Sequence, residues 1–225
     1  MTALDTPRLY DARRDIHYVK PLLRGWGHAL SFVAAAVIGT LVVACADHKM
    51  QTAVASVYAA SVVGLFGASA LYHRGRWVPA AAARLQRLDH AMIVTLIAGT
   101  ATPPMAVCLT GALRITALVG LWSLAASAIG IRIAWMSAPE KLVGSIYIGL
   151  GWLAGSVIPA VWIDKGVAAA VLLIAGGLLY TVGAIGYHRR SPDPLPSVFG
   201  YHEVFHAYVT AAAACQYVAI ACFVL

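Results

Sequence analysis

The chain has 225 residues, of which 61% are hydrophobic and only 11% charged, and its mean hydropathy is +0.79. Soluble domains carry roughly 25% charged and about 45–50% apolar residues, so a soluble globule, a disordered chain and a disulfide-rich secreted scaffold are all excluded. The net charge of +7 is read as a topology signal in so apolar a chain, and no nucleic-acid partner is expected. The composition is that of a multi-pass integral protein of the cell membrane.

A helix that crosses a bilayer needs about 20 mostly apolar residues. Stretches free of Asp, Glu, Lys and Arg place seven candidates at 25–46, 50–73, 89–110, 115–136, 142–163, 166–187 and 203–225. Arg132 makes the fourth the weakest, and six spans is the main competitor. No segment alternates in polarity as a barrel strand does. The expected fold is all-α, a seven-transmembrane helix bundle forming a single domain over 1–225.

The first 24 residues mix acids and bases, and the apolar run after them is too long for a signal-peptide core, so the N-terminus is expected to be retained. With that short segment inside, thirteen of the sixteen Lys and Arg fall on the inner side: Arg8, Arg13, Arg14, Lys20, Arg24, Arg74, Arg76, Arg84, Arg87, Arg132, Lys141, Arg189 and Arg190. Lys49, Arg114 and Lys165 are the three outside. The positive-inside rule then predicts a cytoplasmic N-terminus and an external C-terminus. Trp26, Trp77, Trp135 and Trp162 fall near span boundaries as interface anchors, whereas Trp122 and Trp152 sit deeper and are read as packing residues.

Loops are short. The longest, around 188–201, holds Pro192, Pro194 and Pro196, and alternating prolines predict a stiff polyproline-like strut before helix 7. Gly144, Gly149, Gly151 and Gly155 in helix 5 and Gly176, Gly177, Gly183 and Gly186 in helix 6 are read as close-packing positions. Cys45, Cys108, Cys215 and Cys222 lie in apolar spans and are read as buried free thiols. Three of them lie toward the outer side, which leaves a disulfide as the alternative.

Ionisable residues inside a span are costly, and each is a functional hypothesis. Ser69 and His73 close helix 2, Asp89 and His90 open helix 3, and His202, Glu203 and His206 open helix 7. All seven fall at the cytoplasmic end, so three distant segments bring polar groups to one depth. Ser69 to His73 and His202 to His206 are i, i+4 pairs on one helix face. Two imidazoles a turn apart suit a tetrahedral metal, and zinc is the natural choice. His73 supplies a third ligand, and Asp89 is placed to orient or deprotonate a water.

Against this stands the reading that interface histidines merely bond backbone or headgroups. Asp89 then pairs with Arg84, Arg87 or His90, or favours the helix 3 N-terminus. His17, His28, His48, His90 and His188 are assigned boundary roles. The segment from His202 to His206 also satisfies HExxH, in which Glu is a general base. Only 19 residues follow His206, with no His, Asp or Glu among them, so an ordinary zinc protease lacks its third ligand. A divergent intramembrane protease using Asp89 is the remaining form of that idea.

These residues resemble the hemolysin III family, the bacterial branch of the progestin and adiponectin receptor proteins. The matching segments run from Arg24 to His28, from Ser69 to Arg74, from Leu88 to His90 on to Ala98–Pro103, and from Phe199 to His206. The resemblance implies a seven-helix bundle with zinc near the cytoplasmic face, held by His73, His202 and His206. It also implies that Asp89 contacts the zinc-bound water and that Ser69 lines the site. Gln stands at the Glu203 position in the adiponectin receptors, which argues against Glu203 as a shared base. Their large soluble N-terminal region is missing here, so hormone binding does not carry over.

The expected function is zinc-dependent hydrolysis of a lipid amide or ester, with Asp89 steering the proton and Ser69 near the developing oxyanion. Membrane lipids are the expected partners. The alternative is a non-enzymatic sensor of the membrane state, or a lytic factor, with a structural zinc.

Overall fold

The computed structural model describes residues 8–11 and 16–225. Arg13 and Arg14, counted above among the inner charges, lie outside the described residues. The chain opens with a short antiparallel hairpin, β1 (Arg8–Asp11) and β2 (Ile16–Val19), in which Arg8 pairs with Val19 and Asp11 with Ile16. Hydropathy gives no sign of it, because four-residue strands are too short to register as spans. Outside the hydrocarbon layer the backbone need not be helical, and Tyr10, Ile16, Tyr18 and Val19 are of the aromatic or β-branched kind that strands favour.

Among the described residues seven membrane-length helices follow: α1 (Trp26–Ala44), α2 (Lys49–Arg74), α3 (Pro79–Cys108), α4 (Gly111–Ala134), α5 (Glu140–Lys165), α6 (Val167–Arg189) and α7 (Tyr201–Val224). The seven-helix bundle is therefore as expected, and the protein is a multi-pass integral membrane protein. The fourth helix runs unbroken past Arg132. That side chain is buried and donates to the carbonyls of Trp135 and Met136, which follow the helix end.

One boundary departs strongly from the hydropathy reading, and one span is interrupted. α3 begins at Pro79 rather than at 89, with the proline in its first turn, where its missing N–H costs nothing. The added segment carries Arg84 and Arg87, which favour helix but not hydrocarbon, so an apolar window cannot detect it. α5 tightens into a 3₁₀ turn over Gly155–Val157 before continuing. Pro159 lacks the N–H that would bond to Gly155, which accounts for the interruption.

α3 is the central helix, with 61% of its apolar window buried against 17% for α4. It contributes to both hydrophobic clusters. One joins it to α4, α5, α6 and α7 around Val94, Ala98, Leu121, Ala125, Val161 and Ala169. The other joins it to α1, α2 and α7 around Ala35, Tyr58, Leu65, Phe66, Leu96 and Val209.

The proline-rich loop is not a strut. Leu195 and Phe199 form a bridge closed by Phe199 N–H to Leu195 O at 2.7 Å, and the Asp193 carboxylate accepts the Tyr201 N–H at 2.9 Å. The loop also binds the chain before α1, since Leu22 and Leu23 donate to the carbonyls of Ser197 and Val198, both at 3.0 Å. A polyproline strand leaves its backbone groups to solvent; here the non-proline residues find protein partners instead.

Close packing at the helix 6 glycines holds for Gly176 and Gly183, where an added Cβ would come within 2.6 Å of Gln216 and 2.8 Å of Tyr208. Gly144, Gly149, Gly151 and Gly177 would meet nothing within 4 Å, so there the packing expectation fails. All four cysteines are free, but Cys45 and Cys222 are exposed rather than buried. Trp122 and Trp152 are also half-exposed, and each indole N–H is bonded to a threonine hydroxyl on a neighbouring helix, Thr102 and Thr181. A lipid-facing indole still needs a partner for its one donor.

Candidate metal centre

The centre lies at the hairpin end of the bundle, where α1 and α7 begin and α2 ends. Gly25, at φ +79°, turns the chain into α1. A Cβ there would stand 2.8 Å from the His73 Cβ, so only glycine lets α1 start so close to the last turn of α2. α7 is fixed by Glu203. Its carboxylate accepts the Gly200 N–H at 2.9 Å, closing the helix N-terminus, and forms a buried ion pair with Arg24 of the α1 approach. Glu203 is thus committed to capping and tethering, which explains why the literal HExxH spacing does not describe a base.

These contacts bring His73, His202 and His206 together, with one ligand atom of each inside a 4.8 Å span. The Nε2 atoms of His73 and His202 are 3.3 Å apart. Two ligands about 2.0–2.1 Å from a tetrahedral ion stand about 3.3 Å from each other, so this edge already has the right length. The rings meet edge to face, with centroids 4.6 to 5.1 Å apart, and Tyr187 of α6 packs on His202. Neutral imidazole nitrogens directed at one another need a shared proton or cation between them. Three of them, two on buried side chains, form a donor set that fits zinc.

Asp89 extends the group. It is buried well inside α3, which begins at Pro79, and its Oδ2 lies 3.7 Å from His73 Nε2. No ion pair links it to Arg84 or Arg87 among the described residues. Ser69, one turn before His73 on α2, is also buried.

The residue that the spacing analysis missed is His28. Assigned a boundary role above, it is instead buried, 2.8 Å from the Ser69 hydroxyl through Nδ1, and stacked on His206 at 3.7 Å with ring planes 9° apart. Which of His28 and Ser69 donates is set by the His28 tautomer. His28 stands alone on its helix, so no i, i+4 pairing marks it. Its place in the Arg24–His28 segment was the available signal. His90, given the same boundary role, meets Arg132 of α4 at 2.7 Å. This clamp holds α3 against α4.

The profile of the haemolysin-III-related family matches residues 16–217. The chain belongs to the haemolysin-III-related family. A relative named Hemolysin-3 from Bacillus cereus is 31% identical over 206 residues, covering 91% of this chain and 90% of that protein. The Hemolysin-3 homolog of Bacillus subtilis (strain 168) is 33% identical over 133 residues, covering 59% of this chain and 60% of its own length. A plant protein, the heptahelical transmembrane protein ADIPOR2 of Oryza sativa subsp. japonica, is 31% identical over 153 residues, or 60% of this chain and 65% of that one. The family match thus contains the whole candidate centre, from the helix start that carries His28 to His206.

Proposed function

We propose that this haemolysin-III-related protein is a zinc-dependent hydrolase of a lipid amide or ester. The observation that carries the reading is the Asp89 carboxylate 3.7 Å from the nitrogen of one of three convergent imidazoles, with Ser69 behind it. His73, His202 and His206 would hold the metal. When bound, zinc supplies a Lewis acid that polarises an acyl carbonyl and makes water easier to deprotonate near neutral pH.

Asp89 is the proton acceptor. Its carboxylate takes a proton from attacking water and returns it to the departing amine or alcohol. His28 keeps Ser69 and the His206 ring in place. Hydrolysis adds water across the acyl C–N or C–O bond and releases a carboxylate and an amine or alcohol. The helices that carry the site are apolar enough to cross a membrane, which suits an amphiphile entering from the bilayer. We place this end in the cytoplasm because thirteen of the sixteen basic residues then lie inside. A reporter fused after Leu225 should accordingly be active only outside the cytosol.

The same 3.7 Å approach supports a second reading. In it Asp89 is a fourth ligand of a closed structural site, in a sensor or lytic protein. Asp89→Asn separates the two when purified protein is assayed for metal and for turnover of a panel of lipid amides and esters. In the hydrolase, zinc stays near the wild-type level while turnover falls by about 10²–10⁴-fold. Joint loss of zinc and thermal stability, with no turnover in the wild type either, selects the structural site.

A further inference from the structure

Beside the centre, the end of α2 and the approach to α1 carry a patch with an unusual charge arrangement. Lys20, Arg74 and Arg76 are exposed, and no ion pair to a carboxylate involves any of them among the described residues. Neighbouring Arg24, by contrast, is buried and satisfied by Glu203. Lys20 is crowded by its own kind: its amine is held below the usual lysine range by partial desolvation, then by repulsion from Arg24, Arg74 and Arg76. The Arg74 guanidinium lies 3.4 Å from the centre of the Trp26 ring. Trp77 folds back over Gly75 to donate its indole N–H to the Leu71 carbonyl at 3.0 Å. Both indoles remain half-exposed.

Three unneutralised cations among two partly exposed indoles mark the level where a bilayer changes from acyl chain to headgroup. Arg74 directly follows His73, so the patch borders the metal-ligand triad. A ligand that answers this chemistry carries at least one negative charge with several acceptor oxygens, and it lies at that depth because its remainder is in the membrane.

We propose that Lys20, Arg74 and Arg76 bind the phosphate of an anionic membrane lipid, and that the amphiphile presented to the adjacent centre has an acidic headgroup. This names a substrate class for the hydrolase reading and rests on it for the lipid's fate, while the binding itself requires no turnover. A positive-inside charge excess alone would make all exposed basic residues at this end equivalent. Arg84 and Arg87, one α3 turn apart and also exposed, provide the comparison.

The test is lipid retention by the purified full-length protein, read by native mass spectrometry from detergent. Phosphatidylglycerol, phosphatidylcholine and glycerol phosphate are offered at equal concentration. Wild type should retain phosphatidylglycerol at least about tenfold over phosphatidylcholine. In K20Q/R74Q/R76Q that preference should collapse, since each cation at an anionic surface is worth about fivefold in binding. Should the Arg74 change disturb folding, K20Q/R76Q should still lower retention by roughly 25-fold, with metal content and melting temperature as in wild type. R84Q/R87Q should leave retention unchanged. Equal retention of both lipids, undiminished retention in K20Q/R76Q, or an equal loss in R84Q/R87Q overturns the proposal. Binding of glycerol phosphate as tight as that of the lipid overturns the membrane source. Anionic lipid retained by a protein that hydrolyses nothing leaves this site standing and defeats only the hydrolase.

Discussion

Where α2 passes α3, a Cβ at Gly99 would come within 2.2 Å of the Ser61 oxygen, and one at Gly64 within 2.4 Å of Met92. On α4 and α5, Cβ atoms at Gly120, Gly130, Gly144, Gly149 and Gly151 would meet nothing within 4 Å. The same residue type therefore acts differently on the two sides of one bundle. Around α1, α2, α3 and α7 glycine allows backbones close enough for Ser69, His73, Asp89, His206 and His28 to be buried together. On the α4–α5 side these glycines contribute no packing, and polar side-chain contacts, Arg132 to His90 and the Trp122 indole to Thr102, tie α4 to the central helix. A site built from side chains on four helices needs those helices held in fixed register. Tight backbone contact lies where that demand exists.

The sharpest way to break this contrast is at the ligands. His202→Ala or His206→Ala should lower zinc from about one ion per chain to below roughly a tenth, read by elemental analysis of purified protein, with a lower melting temperature. Stoichiometric zinc in a variant lacking His73, His202 and His206 would place the metal elsewhere. A smaller effect is expected at His28, which touches the ligand shell without belonging to it. His28→Ala should weaken zinc affinity by about 10–100-fold while leaving one site per chain, the usual consequence of removing a group that orients a ligand. Competition with a chelator measures it, and an unchanged affinity would reduce His28 to a packing residue. The smallest effects separate the two packing regimes directly. Gly99→Ala should destabilise by about 1–3 kcal/mol through overpacking, whereas Gly149→Ala should stay within about 0.5 kcal/mol of wild type. Equal responses in thermal unfolding would erase the distinction.

Much of the centre could be read before any fold was known. Ser69–His73 and His202–His206 are one helical turn apart, and that spacing survives any packing of the helices. The i, i+4 rule could not find His28, because its partners, Ser69 and His206, are 41 and 178 positions away in sequence and meet it only through helix packing. The start of α3 was misplaced for a different reason. Hydropathy reports which residues tolerate hydrocarbon, whereas a helix that emerges from the membrane continues as long as its backbone bonds are satisfied. The 188–201 loop shows the same limit: its prolines indicate local stiffness, but the Leu22 and Leu23 amides that bond to it come from the other end of the chain.

Composition and hydrophobic run length by themselves determined that this chain crosses the membrane seven times as helices, because a bilayer admits few other ways of satisfying a backbone. Helical periodicity likewise determined which histidines share a face. The tertiary structure alone decided that α3 is central, that His28 stacks on His206, that Glu203 is paired with Arg24, and that Asp89 turns to His73 rather than to a nearby arginine. In lipid every helix face is tolerably apolar, so sequence leaves the rotation and neighbours of each helix weakly specified. Close contacts at a few glycines and the pairing of buried polar groups select one arrangement from the many that hydropathy allows.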